Sequence, residues 1–183
     1  MKTVYLTSGP RGSGKSAYCE RFVKLHPEIP LISRDKILVE LFGSAMIDSE
    51  TAYAGGHYYA IEKMFERMGE ALSGENDIII LDSWNGDLHE RRIIMGELKQ
   101  LGVEEVACLQ FFTPFEKCWR WCNGKYNGRE GNEAKNMFKK DYDNYYKYAK
   151  DIGEVGFDAI YRIDVTNKQH ADFLELAKFE SPA

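Results

Sequence analysis

The residues best suited to chemistry form the run from Gly9 to Ser16, GPRGSGKS, a full match to the pattern G-x-x-x-x-G-K-[ST]. Glycines let such a loop curl so that successive backbone N–H groups face one anion. Lys15 adds a cation at the β- and γ-phosphates, and Ser16 adds a hydroxyl for Mg²⁺. An apolar segment, Val4-Tyr5-Leu6, precedes the run and a helix-compatible segment follows it, as the motif requires. The sequence therefore predicts a loop that holds a nucleoside triphosphate.

The triphosphate contacts should come from this loop and from the first turn of the helix after it. We expect Lys15 also to act in catalysis, because its cation at the β- and γ-phosphates and the pre-organised loop act together. The residues predicted to contact the nucleotide are Gly9, Gly12, Ser13, Gly14, Lys15, Ser16 and Ala17.

Asp82 follows the aliphatic run Ile78 to Leu81, which is typical of a buried strand. A carboxylate at the end of such a strand can hold Mg²⁺ or its water ligands in P-loop proteins. We therefore predict that Ser16 and Asp82 form the metal site. The alternative is that Asp82 is an ordinary turn residue at the end of a strand.

Asp35 follows the second predicted strand, Ile29 to Ile32, within the segment Ser33-Arg34-Asp35. Ligands of parallel α/β sheets bind at the carboxyl ends of the strands, so Asp35 should face the same crevice as the P-loop. Phosphoryl transfer to a hydroxyl needs one carboxylate that positions and deprotonates the acceptor. We predict this role for Asp35, although an Asp at this junction can also cap the following helix.

The predicted acceptor contacts lie beside these two carboxylates. Trp84 could stack on a base or sugar, or it could be a packed loop tryptophan. The residues assigned to the acceptor are Arg34, Asp35, Ser83, Trp84 and Asn85.

A basic segment extends from Lys117 to Lys140, with seven basic residues against two acidic ones. This excess contrasts with the formal net charge of −5 for the whole chain. We expect the segment to include a phosphate-facing lid, at approximately residues 115–140, in which Arg120 and Arg129 neutralise the transferred phosphoryl group. A solvated helix face is the alternative interpretation.

Composition and missing motifs narrow the class of protein. A length of 183 residues and 44% hydrophobic content fit one α/β domain with a packed core. The sequence has neither the N-K-x-D pattern nor the D-x-x-G pattern of a GTPase, and it leaves little room for the helical subdomain of a motor ATPase. With no secretory leader and no apolar run near the length of a membrane span, we expect a cytoplasmic protein that does not enter membranes.

Strand-like and helix-like segments alternate along the chain. The clearest helix has Ile61, Met64, Phe65, Met68 and Leu72 on one apolar face. Thr113-Pro114 predicts a helix start with Thr113 as N-cap, and a last helix is predicted from Lys168 to Phe179. The alternation predicts a single α/β domain over residues 1–183, of P-loop NTPase type, with a parallel sheet flanked by helices and a helical lid.

From Tyr5 to about Tyr148 the chain resembles the P-loop kinases related to phage polynucleotide 5′-hydroxyl kinase. The shared features are the loop, the strand end Arg34-Asp35, the pair Asp82-Ser83, Glu90-Arg91-Arg92, the Phe111-Phe112 strand, Arg120 in the lid and Met137-Phe138-Lys139. The resemblance implies that Lys15 and Ser16 bind the phosphates and Mg²⁺, Asp35 activates the acceptor hydroxyl, and arginines of the lid act on the phosphoryl group.

Two positions differ from the pattern of that family. Leu38 stands where the phage enzyme has an arginine that engages the phosphate of its substrate, and Gly124 stands four residues after Arg120, where a second lid arginine is common. We therefore expect an ATP- and Mg²⁺-dependent phosphotransferase whose acceptor is a polynucleotide 5′-hydroxyl or a nucleoside-like compound. The alternatives are a small-molecule, nucleoside, nucleotide or toxin-like sugar-nucleotide kinase, and a non-catalytic nucleotide-binding module.

Overall fold

Five parallel strands form the central sheet of the computed structural model, which describes residues 1–46, 48–83 and 85–166. The strands of the described chain are β1 (Thr3–Ser8), β2 (Leu31–Ser33), β3 (Ile78–Asp82), β4 (Glu105–Phe111), β5 (Lys125–Tyr126), β6 (Arg129–Glu130) and β7 (Ala159–Ile163). The order β2-β3-β1-β4-β7 puts β1 at the centre of the sheet, and β5 and β6 form a separate antiparallel hairpin. The predicted α/β class with a parallel sheet is confirmed.

Helices connect the strands of the sheet. They are α1 (Lys15–Leu25), α2 (Arg34–Phe42), α3 (Ser49–Tyr53), α4 (Gly56–Ser73), α5 (Leu88–Gln100), α6 (Phe115–Trp121) and α7 (Gly131–Ala149), and a 3₁₀ turn, Ile152–Glu154, follows α7. The helix predicted from Lys168 to Phe179 lies outside the described residues. None of the helices in the described ranges combines the length and the apolar character needed to span a bilayer.

The sheet is buried on both faces. Successive residues of a strand point to opposite sides, and those of the central strands pack in two different core clusters. In β3, Ile79 and Leu81 pack with Met64 and Met68 of α4, whereas Ile80 packs on the other face with Phe22 of α1. The apolar stripe predicted on α4 therefore faces the core. This packing fixes the carboxyl ends of β1, β2 and β3 at one edge of the sheet.

The start of α6 differs from the prediction. Thr113 does not cap this helix, which has Pro114 at its N-cap position and no side-chain cap hydrogen bond. The Thr113 hydroxyl instead donates to the backbone carbonyl of Ser13, 2.8 Å away. A long-range hydrogen bond to the P-loop therefore replaces the local cap that the Thr-Pro pair had suggested.

A buried arginine holds the chain between β3 and α5. Arg91 is fully buried, and its guanidinium donates to the carbonyls of Asn85 at 3.2 Å, Gly86 at 2.6 Å and Tyr148 at 3.3 Å. Burial lowers the pKa of Arg91 from its ordinary value. Since Tyr148 belongs to α7, this one cation ties the loop after β3 to the longest helix of the domain.

We expect Arg91→Leu to lower the free energy of unfolding by about 3 kcal/mol, because carbonyls that now accept from a buried cation would lose their donor. The exposed neighbour Arg92 provides the control, since Arg92→Leu should change stability by no more than about 0.5 kcal/mol. Urea denaturation of both variants measures the difference. Equal stabilities would contradict this role of Arg91.

Candidate active site

The P-loop occupies the turn between β1 and α1, and its glycines adopt backbone angles that other residues rarely reach. Gly12 has φ +72° and Gly14 has φ +91° at the N-cap position of α1. Gly12 also lies close to α6, because a Cβ at this position would be 2.7 Å from the carbonyl oxygen of Cys118. The motif therefore satisfies two constraints, the left-handed turns and close packing under the lid.

Lys15 reaches back across the loop. Its Nζ donates to the carbonyl of Gly9 at 2.9 Å and to that of Pro10 at 3.0 Å. Burial lowers the pKa of Lys15, and the nearby carboxylates of Asp82 and Asp35 oppose this effect. The ammonium group thus bonds to the P-loop backbone and interacts electrostatically with both carboxylates that the sequence had singled out.

Asp82 is the last residue of β3 and collects hydroxyl groups from neighbouring elements. Its carboxylate accepts from Ser16 at 2.7 Å, from Thr7 at 3.0 Å and from Ser33 at 3.5 Å. Strand register explains the arrangement, since Ser33 pairs with Asp82 across β2 and β3, while Thr7 follows Leu6, the partner of Leu81. Asp82 is therefore a buried acceptor and not an ordinary turn residue.

The oxygen atoms of Ser16 and Asp82 fit the hard-ligand preference of Mg²⁺. Among the described residues no group of three or more His, Cys, Asp or Glu side chains could hold a metal ion. Mg²⁺ commonly uses one or two protein ligands and takes the rest from phosphates and water. This donor set suits a nucleotide-bound Mg²⁺ better than a metal held by protein alone.

A cavity of about 760 Å³ is lined both by the P-loop and by predicted acceptor residues. Asp35 lies on its wall, exposed, in the first turn of α2. Because α2 begins at Arg34 with Ser33 at the N-cap position, the alternative of Asp35 as the N-cap residue is wrong. The predicted residues that line the cavity are Gly12, Ser13, Gly14, Lys15, Ser16, Ala17, Arg34, Asp35, Asp82 and Ser83.

The residues after Asp82 have different environments. Ser83 is 5% exposed and lines the cavity, and its hydroxyl has no hydrogen-bond partner among the described residues. Asn85 is fully buried and does not line the cavity, because its side-chain amide donates to the carbonyl of Thr7 at 2.7 Å. Trp84 lies outside the described residues. The geometry thus brings Ser83, but not Asn85, to the cavity.

The predicted lid region comprises α6, the β5–β6 hairpin and the first half of α7. Neither Arg120 nor Arg129 lines the cavity. Arg129 pairs with Glu133 at 3.1 Å and contacts the sulfur of Met137 at 3.0 Å. In this structure the two predicted lid arginines therefore do not line the cavity that contains the P-loop.

Ion pairs neutralise much of the basic segment. Four of its side chains have acidic partners, in the pairs Lys125–Glu130, Arg129–Glu133, Lys135–Glu116 and Lys139–Asp143. Two of these partners, Glu116 and Asp143, lie just outside the range that was counted in the sequence. The net positive charge around the basic segment is therefore smaller in the folded structure than the count along the sequence suggested.

Arg11 is the cation that sequence reasoning missed. It occupies a variable position of the P-loop motif, lines the cavity, and places its guanidinium carbon 5.3 Å from the ring centroid of Tyr126. The hydroxyl of Tyr126 in turn donates to Asp141 of α7. Burial and Asp141 raise the pKa of Tyr126, which Arg11 partly offsets. Nothing in the spacing of the sequence could have joined these three residues, which tie the P-loop to the lid.

Other residues of α6, the hairpin and α7 also reach the cavity without having been predicted. They are Trp121 of α6, Asn127 of the hairpin, and Asn144 and Tyr148 of α7. Trp121 packs near the loop, since a Cβ on Gly14 would be 3.4 Å from its ring. Alternating aromatic and polar residues on α7 gave no signal that separates cavity-lining positions from solvent-facing ones.

Solved structures that resemble this fold include several kinases. A proposed kinase from Chloroflexus aurantiacus superimposes with a TM-score of 0.68 at 14% identity, over 97% of this chain and 93% of the other. A fungal RNA kinase has a TM-score of 0.62 at 16% identity, over 100% and 91%. Shikimate kinase from Acinetobacter baumannii, in complex with shikimate, has a TM-score of 0.62 at 14% identity, over 100% and 96%. At these identities the likeness concerns the fold, which is that of P-loop kinases.

Sequence comparisons place the chain in a family. A comparison with curated proteins gave no match. A family model described as AAA domain matches residues 4–141, which include the P-loop, both candidate carboxylates and the predicted lid region. The chain therefore belongs to this AAA domain family of P-loop proteins and has a kinase-like fold.

Proposed function

We propose that this protein transfers the γ-phosphoryl group of ATP to a hydroxyl group of a compact acceptor, in the presence of Mg²⁺. The observation that supports it best is that Asp35 shares one cavity with Lys15 and Asp82. A triphosphate held by the P-loop would direct its γ-phosphate toward the carboxyl ends of β2 and β3, where Asp35 lies. The residues proposed to bind the nucleotide and the residue proposed to activate the acceptor thus line the same cavity.

The nucleotide half of the reaction is assigned to the P-loop. Backbone N–H groups of the loop would bind phosphate oxygens, and Lys15 would exchange its present carbonyl partners for the β- and γ-phosphates. Ser16 and Asp82 would hold Mg²⁺, which when bound offsets the charge of the phosphate oxygens. Arg11 would supply a further positive charge at the mouth of the cavity.

The acceptor half is assigned to Asp35 and Ser83. Asp35 would accept the proton of the attacking hydroxyl while that oxygen forms a bond to the γ-phosphorus and the bond to the bridging oxygen of ADP breaks. The unpartnered hydroxyl of Ser83 would hold the acceptor by a hydrogen bond. A nucleotide-binding module without catalysis needs no carboxylate at the position of Asp35, which favours the kinase.

Several observations favour a compact acceptor over a nucleic-acid end. Leu38 lines the acceptor wall and is 1% exposed, so this wall offers an apolar side chain where a phosphate-binding arginine was considered. Arg34 is on the same wall but already pairs with Glu90. None of the seven basic side chains of the basic segment lines the cavity. A nucleoside-like or other small alcohol therefore suits this site better than a polynucleotide 5′-hydroxyl.

Transfer of radiolabelled γ-phosphate from ATP to a panel of hydroxyl compounds tests the proposal. The panel contains 5′-hydroxyl DNA and RNA oligonucleotides, nucleosides, nucleotides and small alcohols. Incorporation into at least one compact acceptor supports the proposal, and ATP binding without transfer to any acceptor would favour the non-catalytic module.

Salt dependence separates the two kinds of acceptor. A single-stranded polynucleotide that uses two or three phosphate contacts should show a log–log slope of roughly −1.4 to −2.1 for its apparent affinity, at about −0.7 per contact. We expect a slope near zero for the true acceptor, with KM for ATP measured in parallel as the control. A steep slope together with efficient transfer to an oligonucleotide would overturn the preference for a compact acceptor.

Asp35→Asn should lower kcat by about 10²- to 10⁴-fold with little change in ATP affinity, because the base acts on the acceptor. Lys15→Ala should instead abolish turnover and weaken ATP binding. The exposed Asp77 serves as the control position, and Asp77→Asn should retain full activity. If Asp35→Asn weakened ATP binding and left kcat unchanged, the assignment of the base would be wrong.

Comparison of Arg11→Ala, Arg120→Ala and Arg129→Ala identifies the arginine that acts on the phosphoryl group. Arginines in this role contribute roughly 10³- to 10⁵-fold to kcat. We expect the largest loss at Arg11, which lines the cavity in this structure. A larger loss at Arg120 or Arg129 would instead indicate that the lid closes over ATP during turnover.

Gly12→Ala should weaken ATP binding and lower stability by about 1–3 kcal/mol. The new Cβ would meet the backbone oxygen of Cys118 at 2.7 Å on a backbone with φ +72°. Gly96 in α5 has no atom within 4 Å of the equivalent Cβ, so Gly96→Ala should stabilise the protein by about 0.5–1 kcal/mol. Thermal unfolding with and without ATP measures both effects, and a stable Gly12→Ala variant with normal ATP affinity would argue against close packing of α6 on the loop.

A further inference from the structure

A second groove adjoins the acceptor side of the active-site cavity, between α4 and α5. It has a volume of about 670 Å³, and Arg34 and His57 line both the groove and the cavity. An acceptor whose hydroxyl lies beside Asp35 can therefore extend past these two side chains into the groove. The groove has the volume to hold a substituent that the cavity itself does not have to hold.

Apolar and aromatic side chains form much of the groove surface. Tyr58 and Ile93 line it and are 65% and 42% exposed, and Ile61 and Phe65 line it from the α4 side. Large exposed apolar side chains gathered in a concave surface are typical of a ligand or interaction site. A bound molecule with an apolar or aromatic frame would remove these side chains from water.

The charges in the groove are mainly negative. Four carboxylates line it, and Arg34, the one Lys or Arg side chain in the described lining, pairs with Glu90. Asp87 accepts from backbone N–H groups at the start of α5. The side-chain carboxylates of Glu62 and Glu97 have no ion pair or hydrogen bond with other described residues. Two carboxylates thus remain free to attract a cation, whereas a phosphate-bearing chain would be repelled.

Ser83 provides an independent sign that a ligand binds next to this groove. Ser83 is only 5% exposed and lines the adjoining cavity, and its buried hydroxyl has no hydrogen-bond partner among the described residues. Buried polar groups in proteins normally have partners. A polar group of a bound acceptor would supply the missing one, in the cavity that shares Arg34 and His57 with the groove.

We propose that the groove binds the far end of the acceptor, and that this end is an apolar or aromatic frame with a cationic group, such as an aryl or alkyl ammonium. The proposal rests on the proposed function, phosphotransfer to a hydroxyl, and adds the charge and shape of the compound that carries it. Tyr58 would contact the cation with its ring, while Glu62 and Glu97 balance its charge.

Three matched 2-arylethanols test the charge preference of the groove. They carry a trimethylammonium group, a tert-butyl group of the same shape, or a sulfonate group at the para position. Ligand-observed NMR titration of the full-length protein without ATP gives the three dissociation constants at low salt. We expect the cation to bind about tenfold more tightly than the tert-butyl compound, which corresponds to about 1.4 kcal/mol, and the sulfonate to bind most weakly.

Paired variants assign this preference to the groove. Glu62→Gln/Glu97→Gln should bring the affinity for the cation to within about twofold of that for the tert-butyl compound. Glu70→Gln/Glu75→Gln removes two exposed carboxylates that do not line the groove and should leave the ranking unchanged. Tyr58→Ala should weaken the cationic and the neutral compounds together, because it removes aromatic contact area. Circular dichroism verifies that each variant is folded.

Several results would overturn the proposal. They are equal affinities for the three compounds, no binding of the cation at millimolar concentration, or a ranking that survives in Glu62→Gln/Glu97→Gln. Tighter binding of the sulfonate would also overturn it and would favour an anionic acceptor such as a nucleic-acid end.

The test keeps the groove separate from the proposed function, because it measures binding without ATP. Lys15→Ala should retain the same ranking although it cannot transfer phosphate. The expected ranking in a protein that phosphorylates no hydroxyl compound would support the selectivity of the groove and contradict the kinase. Phosphotransfer to other alcohols without the ranking would support the kinase and overturn the assignment of the groove.

Discussion

The hydrogen bonds to the carboxylate of Asp82 are the interactions on which the candidate site depends. This carboxylate accepts hydrogen bonds from hydroxyls at the end of β1, at the end of β2 and at the start of α1. A buried carboxylate is unfavourable unless such donors surround it, so the three elements are held in one arrangement around it. The P-loop and the carboxyl end of β2 are consequently held at fixed positions relative to each other. Precise placement of this kind is what phosphoryl transfer requires, because most of its catalysis comes from positioning and electrostatics.

Much of the nucleotide half of the site was predictable because its constraints are local. The P-loop glycines, Lys15 and Ser16 are set by one short motif, and Asp82 follows a strand whose aliphatic residues identify it as buried. The stripe on α4 was equally clear, since a helical period of apolar residues predicts one buried face. In each case the physical requirement falls within a few successive residues.

The rest of the site depends on contacts between distant residues. Arg11 and Tyr126 meet through the packing of the lid on the P-loop, and Thr113 bonds to the loop instead of capping its own helix. Asn85 seemed available to a substrate, yet its amide is used inside the domain, at the carbonyl of Thr7. Local propensity predicts which residues favour a turn or a cap, but it does not say which distant carbonyl or ring will compete for the same side chain.

The charge of a sequence segment also did not predict the charges that surround that segment in the folded structure. In the folded structure, the basic segment forms ion pairs with acidic residues of α6, the hairpin and α7. The groove between α4 and α5 is lined by carboxylates from two parts of the chain that are distant in sequence. The positive charges that remain at the cavity, Arg11 and Lys15, are both in the P-loop. A polyanion therefore finds its main attraction at the P-loop, and not along the wall that we propose for the acceptor. This separation, with cations at the P-loop and carboxylates in the groove, supports the proposed reaction between an anionic donor and an acceptor that is neutral or cationic.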